Sequence, residues 1–262
     1  MKASLLLSLM LLSTAVMADF SETIIGSKTD KNNKDFSRLS VENIHRGKKE
    51  LILTFDDGPT PGVTNKVLDV LKKYGIKATF FVIAEKTKDS PGLMKRILDE
   101  GHIVGNHSLS HKPLRDLRFF SWKKTVNREI IDAHEILAPY MSNSNNYFYR
   151  APEGAWESKY AQELNQHPIA RSYIGPVLWD IGGSMVKSGS TYSQTADWAC
   201  WAQKLSVEEC FIGYVQESRK TKGGVVLMHD LRSSSAEMLA KYIPQMLSEG
   251  FVFRNLDEVN FR

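Results

Sequence analysis

The feature that most constrains the fold of this chain is a repeated alternation of short apolar runs with amphipathic segments. The first apolar run, residues 51–55, ends in the turn sequence Asp-Asp-Gly-Pro at 56–59. It predicts a buried strand that runs into a turn. A helix is predicted over 64–74, because apolar side chains recur there at helical spacing and Gly75 follows as a helix terminator.

The same alternation continues along the chain and predicts a parallel α/β sheet or barrel. Residues 182–222 hold both cysteines and show a less regular pattern, which we interpret as an insertion near the functional site. Further strands are predicted at 78–83, 102–105, 147–149, 176–179, 225–228 and 251–253, and further helices at 92–100, 122–137, 157–164 and 236–247.

The N-terminus has the pattern of a secretory signal peptide. Lys2 precedes an apolar run at 3–12, and Val16 and Ala18 suit the −3 and −1 pockets of a signal peptidase, which predicts cleavage after Ala18. The alternative is a membrane anchor, but the run is shorter than the roughly 20 apolar residues that span a bilayer. We therefore expect an exported protein, periplasmic or extracellular, without stable membrane insertion. Residues 19–48 are polar and read as an N-terminal extension to a domain at 49–262.

Charge and cysteine content narrow the possible partners. The formal net charge is +4, and removal of Lys2 with the signal peptide would leave about +3, too weak a bias to indicate nucleic-acid binding. Cys200 and Cys210 are the two cysteines, and an oxidising compartment would permit a disulfide worth about 2–3 kcal/mol. The alternative is a pair of buried thiols. A metal role for them is disfavoured because no other ligand stands at suitable spacing.

Two groups of polar residues point to a divalent metal. Asp56 and Asp57 stand at the carboxyl end of the first strand, the edge where parallel α/β folds bind ligands, although Asp-Gly-Pro is also ordinary turn chemistry. His107 and His111 are four residues apart, so they would meet on one face of a helical turn. One aspartate with two histidines leaves coordination positions open, as catalytic sites do. Zinc is the default metal, with cobalt or nickel as alternatives.

These residues belong to a set of five short motifs. The sequence Thr54-Phe55-Asp56-Asp57-Gly58-Pro59 and the pair His107-Ser108-x-x-His111 resemble the first two motifs of the polysaccharide deacetylases, carbohydrate esterase family 4. Three further motifs follow in the family's order: Arg150-Ala151-Pro152, Asp197-Trp198 and Leu227-Met228-His229-Asp230. The resemblance covers about residues 50–255. It implies a distorted (β/α)7–8 barrel with a parallel strand core, and hydrolysis of an acetyl group from a sugar.

The resemblance also implies how the metal and the base are arranged. Asp57, His107 and His111 would hold the metal, which lowers the pKa of a bound water and polarises the acetyl carbonyl. Asp56 would take the proton from that water. Arg150 would pair with Asp56 and keep its carboxylate ionised and oriented.

The remaining motif residues would serve the leaving group and the sugar. His229 would protonate the leaving amine, and Asp197 would bond to His229 and favour its imidazolium form. Trp198 and Leu227 would wall an apolar slot for the acetyl methyl. Considered without the other motifs, each of these residues has an ordinary structural interpretation. Arg150 would form a surface ion pair, Trp198 would be a core aromatic residue, and Leu227 would pack within a strand. Asp230 has a second interpretation as the cap of a helix that starts near Ser233.

One position departs from the family pattern. Glu153 stands where family members usually carry an aromatic residue whose backbone N–H is thought to complete the oxyanion hole. The backbone role survives any side chain, but a carboxylate at this rim would alter sugar recognition. With the stretch at 182–222, Glu153 is the position we expect to decide the substrate.

We predict removal of N-acetyl groups from an amino-sugar polymer. The export signal and mild positive charge favour peptidoglycan over chitin oligomers as the partner. One alternative is an O-acetyl esterase that acts on xylan or another acetylated polysaccharide. The other is a non-catalytic glycan-binding homologue, which would require loss of a motif residue, whereas all of them are present.

Overall fold

A parallel β-sheet built around one central strand forms the frame of the molecule. The computed structural model describes residues 46–115, 117 and 120–258, so the predicted signal peptide and most of the N-terminal extension lie outside the described residues. Strand β1 spans Glu50–Asp56 and is buried over six of its seven residues. A parallel strand that is buried on both faces has a continuous apolar sequence, as residues 51–55 do.

Strand β1 has parallel neighbours on both edges. Its carboxyl half pairs with β2 (Thr79–Val82), and its amino half pairs on the same edge with β9 (Val252–Arg254). The opposite edge pairs over its whole length with β8 (Gly223–His229). Strand β3 (Ile103–Asn106) extends the sheet beyond β2. The carboxyl ends of β1, β2, β3 and β8 therefore lie at one edge.

Short strands and single bridges complete the wall of a distorted barrel. Strands β4 (Tyr147–Phe148) and β5 (Tyr173–Ile174) pair in parallel, and β4 is linked to β3 by the bridge Asn106–Tyr149. On the far side, a bridge from Ile181 to Val226 joins the chain to β8. The order around the wall is β1, β2, β3, β4, β5, the segment at 181, and β8, which is the predicted barrel with a parallel strand core.

Alternation along β1 separates the interior of the barrel from the layer of helices outside it. Leu51, Leu53 and Phe55 pack in the large cluster that includes the outer helices. Ile52 belongs to a smaller cluster with side chains of β2, β3, β4 and β8. Successive strand residues point to opposite faces, so Thr54 and Asp56 point inward with Ile52.

The outer helices follow the predicted pattern closely. Helix α1 (Thr64–Tyr74) ends at Gly75, whose φ of 66° permits the left-handed terminating conformation. Helices α2 (Pro91–Asp99), α5 (Ser158–Leu164) and α8 (Ser233–Ser248) cover segments predicted as helical. The predicted helix at 122–137 is divided into α3 (Trp122–Asn127), a π-helical turn at Arg128–Asp132, and α4 (Ala133–Leu137).

The region at 182–222 is more regular than its sequence pattern suggested. It contains a hairpin of β6 (Val186–Ser188) and β7 (Thr191–Gln194), followed by helices α6 (Asp197–Ala202) and α7 (Val207–Thr221). Helix α7 begins at a capping box in which Ser206 and Glu209 bond reciprocally. The sequence Ser206-Val207-Glu208-Glu209 carries this signal, so the helix start was detectable. The predicted disulfide between Cys200 and Cys210 is present and joins α6 to α7.

One predicted strand was wrong. Residues 176–179 do not form a strand, and the pairing with β4 comes instead from β5, immediately before Gly175. Pro176 has no N–H to donate to a ladder. The Val177 N–H donates to the carbonyl of Tyr149, and the chain is bridged to β8 only at Ile181.

No helix in the described part of the chain has the length and apolarity needed to cross a membrane.

Candidate active site

A groove of about 530 Å³ opens at the carboxyl ends of the parallel strands and collects most of the predicted site residues. This is the edge of the sheet that the sequence argument singled out. Its lining consists of Asp56, Asp57, His107, His111, Arg115, Glu153, Trp179, Gly183, Trp198, Leu227, His229 and Leu231.

The backbone after β1 brings two adjacent carboxylates to the same groove. Alternation alone would direct Asp57 away from the barrel interior that Asp56 faces. Asp57 instead has a φ of 74°, a left-handed conformation that turns the chain and returns its side chain to the groove. Gly58 follows with no room for a side chain, since a Cβ there would lie 2.1 Å from Asp230 Oδ2. The turn that positions Asp57 therefore requires glycine at 58.

The two predicted histidines meet through a loop, not through a helical turn. His107 and His111 follow β3, and the predicted helical spacing was wrong as a geometric reason. Ser108 and His111 both have positive φ values, 71° and 60°. The His111 N–H donates to Ser108 Oγ at 2.9 Å. This folded loop, and not helical periodicity, brings the two imidazole rings to 5.1 Å between centroids.

Asp57, His107 and His111 form a group suited to a metal ion. Within the part of the chain that the structure describes, they are the set whose ligand atoms all lie within 4.8 Å of one another. Asp57 Oδ1 is 3.0 Å from His111 Nε2 and 3.3 Å from His107 Nε2. His107 Nδ1 lies 2.9 Å from the Arg150 carbonyl, which can only accept. That ring therefore carries hydrogen on Nδ1 and can present a lone pair at Nε2.

The electrostatics of the group also fit a cation. Asp57 Oδ1 is buried, and no donor among the described residues meets it with hydrogen-bond geometry. Burial would raise the pKa of Asp57, but the nearby rings of His107 and His111, with Nε2 atoms 3.3 and 3.0 Å from Oδ1, outweigh it and hold the pKa well below its usual range. The Asp57 carboxylate is therefore ionised at neutral pH and can serve as an anionic ligand to a divalent ion. Two imidazoles and one carboxylate are ordinary donors for zinc, cobalt or nickel.

Asp56 lies beside this group but is bound to Arg150. Arg150 Nη1 donates to Asp56 Oδ1 at 2.7 Å and to Thr54 Oγ1 at 2.8 Å. The guanidinium is fully buried and also donates to the carbonyls of Val177 and Leu178. Asp56 Oδ2 faces the metal group, 3.7 Å from His107 Nε2. One carboxylate oxygen is therefore occupied, and the other is directed toward the site.

His229, the last residue of β8, is held by Asp197. His229 Nδ1 lies 2.7 Å from Asp197 Oδ1, and the His229 N–H donates to Oδ2 at 2.8 Å. Ser235 Oγ also donates to Asp197 Oδ2. Burial would lower the pKa of His229, but the charges of Asp197, Asp56 and Asp57 together with the Asp197 hydrogen bond raise it to about 9. The ring is a cation at neutral pH with Nε2 left for the groove.

The walls of the groove differ in character. Trp198 and Leu227 both line the groove, with Leu227 buried and Trp198 57% exposed. Glu153 lies at the rim in a left-handed turn with a φ of 56° and forms an ion pair with Arg115. Arg115 was not among the predicted site residues, because it stands outside the five motifs and has no neighbouring signal.

Trp179, Gly183 and Leu231 also line the groove without having been predicted as site residues, although Gly183 falls within the stretch at 182–222 that was expected to lie near the site. A Cβ at Gly183 would lie 1.8 Å from Trp179 Nε1, so this wall depends on glycine.

Asp230 does not cap the helix that follows, because α8 begins after Arg232 without a side-chain cap. Asp230 Oδ2 instead accepts from Thr64 Oγ1 at 2.5 Å, beneath the Gly58 turn. Burial raises the pKa of Asp230 to about 6.

A parallel barrel with a carboxylate, two imidazoles and a separate carboxylate at its strand ends has the architecture of a metal-dependent hydrolase. Comparison with known proteins identifies the family of the chain. The family model for polysaccharide deacetylases matches residues 43–171. The chain belongs to this family.

Two relatives illustrate the similarity. The peptidoglycan-N-acetylglucosamine deacetylase PgdA of Listeria monocytogenes is 31% identical over 85% of this chain, which spans 42% of that protein's length. The peptidoglycan-N-acetylmuramic acid deacetylase PdaA of Bacillus subtilis is 29% identical over 81% of this chain and 72% of its own. The structure of Bacillus subtilis PdaA, a family 4 carbohydrate esterase, superposes with a TM-score of 0.66 over 86% of this chain and 85% of its own, at 28% identity.

Proposed function

We propose that this protein is a metal-dependent hydrolase that removes N-acetyl groups from an amino-sugar polymer, with peptidoglycan as the favoured substrate. The observation that carries the proposal is the geometry around Asp57 Oδ1. Two imidazole Nε2 atoms lie 3.0 and 3.3 Å from it, in the same groove as Asp56 and the cationic His229. A metal-ligand group, a base and an acid around one cavity are the parts that amide hydrolysis needs.

In this proposal Asp57, His107 and His111 hold one divalent ion, with zinc favoured and cobalt or nickel as alternatives. A bound metal would supply Lewis acidity, which polarises the acetyl carbonyl and makes a water nucleophilic near neutral pH. The residues around it must bind the sugar, orient the acetyl group and move two protons.

Asp56 is the proposed proton acceptor. Its Oδ1 atom is bound by Arg150, so Oδ2 is the atom that takes a proton from the attacking water. The bond from Arg150 fixes the orientation of the Asp56 carboxylate and keeps Oδ2 directed at the site. Because Arg150 is fully buried and makes five further contacts to protein oxygens or aromatic rings, it cannot leave Asp56 to follow the substrate.

His229 is the proposed proton donor to the leaving amine. Its Nδ1 is committed to Asp197, which leaves Nε2–H to deliver the proton. The raised pKa of His229, about 9, keeps that proton in place at neutral pH. Asp197 is the residue that orients and charges His229, and Ser235 holds the second oxygen of Asp197. Protonation of nitrogen is required because an amide anion is a poor leaving group.

Substrate contacts are proposed for Trp198, Leu227 and Glu153. Leu227 and Trp198 would bound the space for the acetyl methyl, and the exposed part of the Trp198 ring offers a face on which a sugar can pack. Glu153, which also lines the groove, would contact the sugar hydroxyls. The paired Arg115 orients its carboxylate there.

Peptidoglycan is favoured over chitin oligomers for two reasons. PgdA and PdaA, both similar to this chain, are named for action on peptidoglycan. The predicted signal peptide and the charge of about +3 left after removal of Lys2 also suit a protein exported to an anionic cell wall. Chitin oligomers are the second candidate, because the chitooligosaccharide deacetylase of Sinorhizobium fredii is 26% identical over 81% of this chain.

Export and domain organisation form part of the same proposal. We propose that residues 1–18 are removed, that 19–48 form a polar extension, and that 49–262 form the catalytic domain, which acts in the periplasm or outside the cell. Sequencing the N-terminus of the protein recovered outside the cytoplasm tests this. A mature chain that begins at Asp19 supports it, and an intact Met1 on the exported protein contradicts it.

A panel of substrates tests the activity. Zinc-loaded protein would be incubated with peptidoglycan, chitin oligomers and acetylated xylan, and released acetate would be measured against a His111→Ala control. We expect acetate from peptidoglycan at the highest rate, and none from the control. Acetate from xylan alone would establish an O-acetyl esterase and contradict the proposal, and no acetate from any substrate would indicate a non-catalytic glycan-binding protein.

A further inference from the structure

The loop that carries both proposed histidine ligands has an unfavourable backbone. Ser108 and His111 occupy left-handed conformations, with φ values of 71° and 60°. Residues with a Cβ adopt such conformations only where surrounding contacts compensate for them. The contacts that fix this loop therefore determine where the His111 ring stands relative to Asp57.

Glu129 supplies several of these contacts from the helix beside the loop. Its backbone carbonyl accepts from the Leu109 N–H at 2.8 Å. Its carboxylate accepts from the Ser110 N–H at 2.9 Å, and from Ser110 Oγ at 2.9 Å and 3.1 Å through its two oxygens. Main chain and side chain of one residue thus hold the two positions immediately before His111.

The local structure places Glu129 for this task. It lies in the π-helical turn at Arg128–Asp132 that interrupts the outer helix, and it is only 2% exposed. π turns within α-helices recur at functional sites, where the widened turn redirects groups out of the regular ladder. A charged side chain is rarely buried unless its hydrogen bonds are made. Here those bonds are made to the ligand loop itself.

The opposite side of the loop is fixed independently. The carbonyls of Ser108 and Leu109 accept from the N–H groups of Ala84 and Glu85. Asn106 Oδ1 accepts from the Ser108 N–H at 2.8 Å. These contacts hold the first half of the loop near His107, whereas Glu129 holds the half that leads into His111.

We propose that Glu129 is a positioning residue for the metal centre, which sets the affinity for the ion by fixing the Ser110–His111 turn without binding the ion itself. The inference rests on the proposed metal site. Glu129 is not one of the three described residues close enough together to share an ion. Groups that orient metal ligands typically change affinity by about 10- to 100-fold when removed.

The test is zinc affinity of the full chain, measured by competition with a chromophoric chelator. We expect Glu129→Ala to weaken zinc binding by about tenfold or more. Glu129→Gln should retain most of the affinity, within about threefold, because the amide can accept from the Ser110 N–H and donate to Ser110 Oγ. Ser110→Ala, which leaves the helix unchanged, should weaken binding by about fivefold.

Val126→Ala is the matched control. Val126 is fully buried in α3, one turn before Glu129, and contributes no hydrogen bond to the loop. It should lower the Tm and leave zinc affinity unchanged. The inference is overturned if Glu129→Ala folds and binds zinc within about twofold of the unaltered protein, or if Val126→Ala weakens binding equally.

Ser110→Ala decides the question if Glu129→Ala does not fold, since unchanged affinity in that variant also overturns the inference. No saturable zinc binding by the unaltered protein would instead refute the proposed metal site on which the inference rests.

Discussion

Replacement of Asp197 by asparagine tests whether His229 is kept protonated by one carboxylate. Asp197 binds His229 at Nδ1 and at the backbone N–H, at 2.7 and 2.8 Å. Asparagine preserves the shape and one acceptor but removes the charge. Burial then acts against the imidazolium with less opposition, so the pKa of His229 must fall from about 9.

The size of the fall follows from the groups that remain. Asp56 and Asp57 still raise the pKa of His229, so we expect a fall of about one to two units, the usual effect of removing one close opposite charge. A group of pKa about 9 is roughly nine tenths protonated at pH 8, and one of pKa about 7.5 roughly one quarter. Proton delivery to the amine at pH 8 should therefore fall about fourfold from protonation alone.

The fall in the pKa of His229 should also lower the free energy of unfolding of Asp197→Asn. A His whose pKa is raised by folding stabilises the native state most at pH values below its unfolded pKa of about 6.5. That contribution is lost as pH rises through about 9. In Asp197→Asn the loss should be complete at a lower pH, so the difference in stability between the two proteins is largest in acid, decreases as the pH rises toward about 9, and vanishes above it.

Titration of the metal-free protein, with ¹³C-labelled histidine followed by NMR, measures this pKa directly. Ser235→Ala is the control, because it removes an uncharged donor to the same carboxylate and keeps the charge. It should leave the pKa of His229 close to 9. A pKa that stays near 9 in Asp197→Asn would refute the assignment of Asp197 as the group that charges His229.

Three further predictions concern the base, the rim and the disulfide. Asp56→Asn should lower kcat by about 10²- to 10⁴-fold with zinc content unchanged, and turnover within tenfold of the unaltered protein would contradict the assignment of the base. Glu153→Gln, which removes a half-exposed charge worth at most about 1 kcal/mol, should lower KM for carboxylate-bearing peptidoglycan fragments by up to about fivefold and leave KM for chitin oligomers unchanged. Equal changes for both substrates would show that the Glu153 charge does not select between them. Serine at both Cys200 and Cys210 should lower the free energy of unfolding by about 2–3 kcal/mol in urea, and an unchanged midpoint would contradict this.

The strands that build the site were predictable because burial on both faces imposes an apolar run. The strand predicted at 51–55 appears as Glu50–Asp56, and the helix predicted at 64–74 has those same bounds. The end of a buried strand also shows where its polar residues stand. The shared edge of the sheet, and hence the meeting of Asp56 with His107, followed from parallel topology.

The local backbone conformations that place the site residues could not be predicted from the periodicity of the sequence. His107 and His111 meet because Ser108 and His111 take left-handed conformations, for which no residue type in that loop gives a signal. Asp57 reaches the groove for the same reason. Hydrogen bonds between positions far apart in the chain hold both turns, from Ser110 to Glu129 beside His111 and from Lys86 to the Asp57 carbonyl.

Proline and capping residues account for the other differences. Pro176 cannot donate to a ladder, so the strand predicted at 176–179 failed there. Helix α7 was missed although Ser206 and Glu209 form a detectable capping box, because the hydrophobic pattern behind it is weak. Arg115 at the groove rim was found only through the fold.

Acetate release from peptidoglycan before and after removal of metal tests the central claim most directly. The protein would be treated with a chelator, its fold checked by circular dichroism, and its activity measured before and after zinc is restored. We predict a folded protein that releases no acetate without metal and recovers its rate with zinc. Acetate release that is unaffected by chelation would contradict the catalytic metal at Asp57, His107 and His111, and unfolding on chelation would show a structural ion instead.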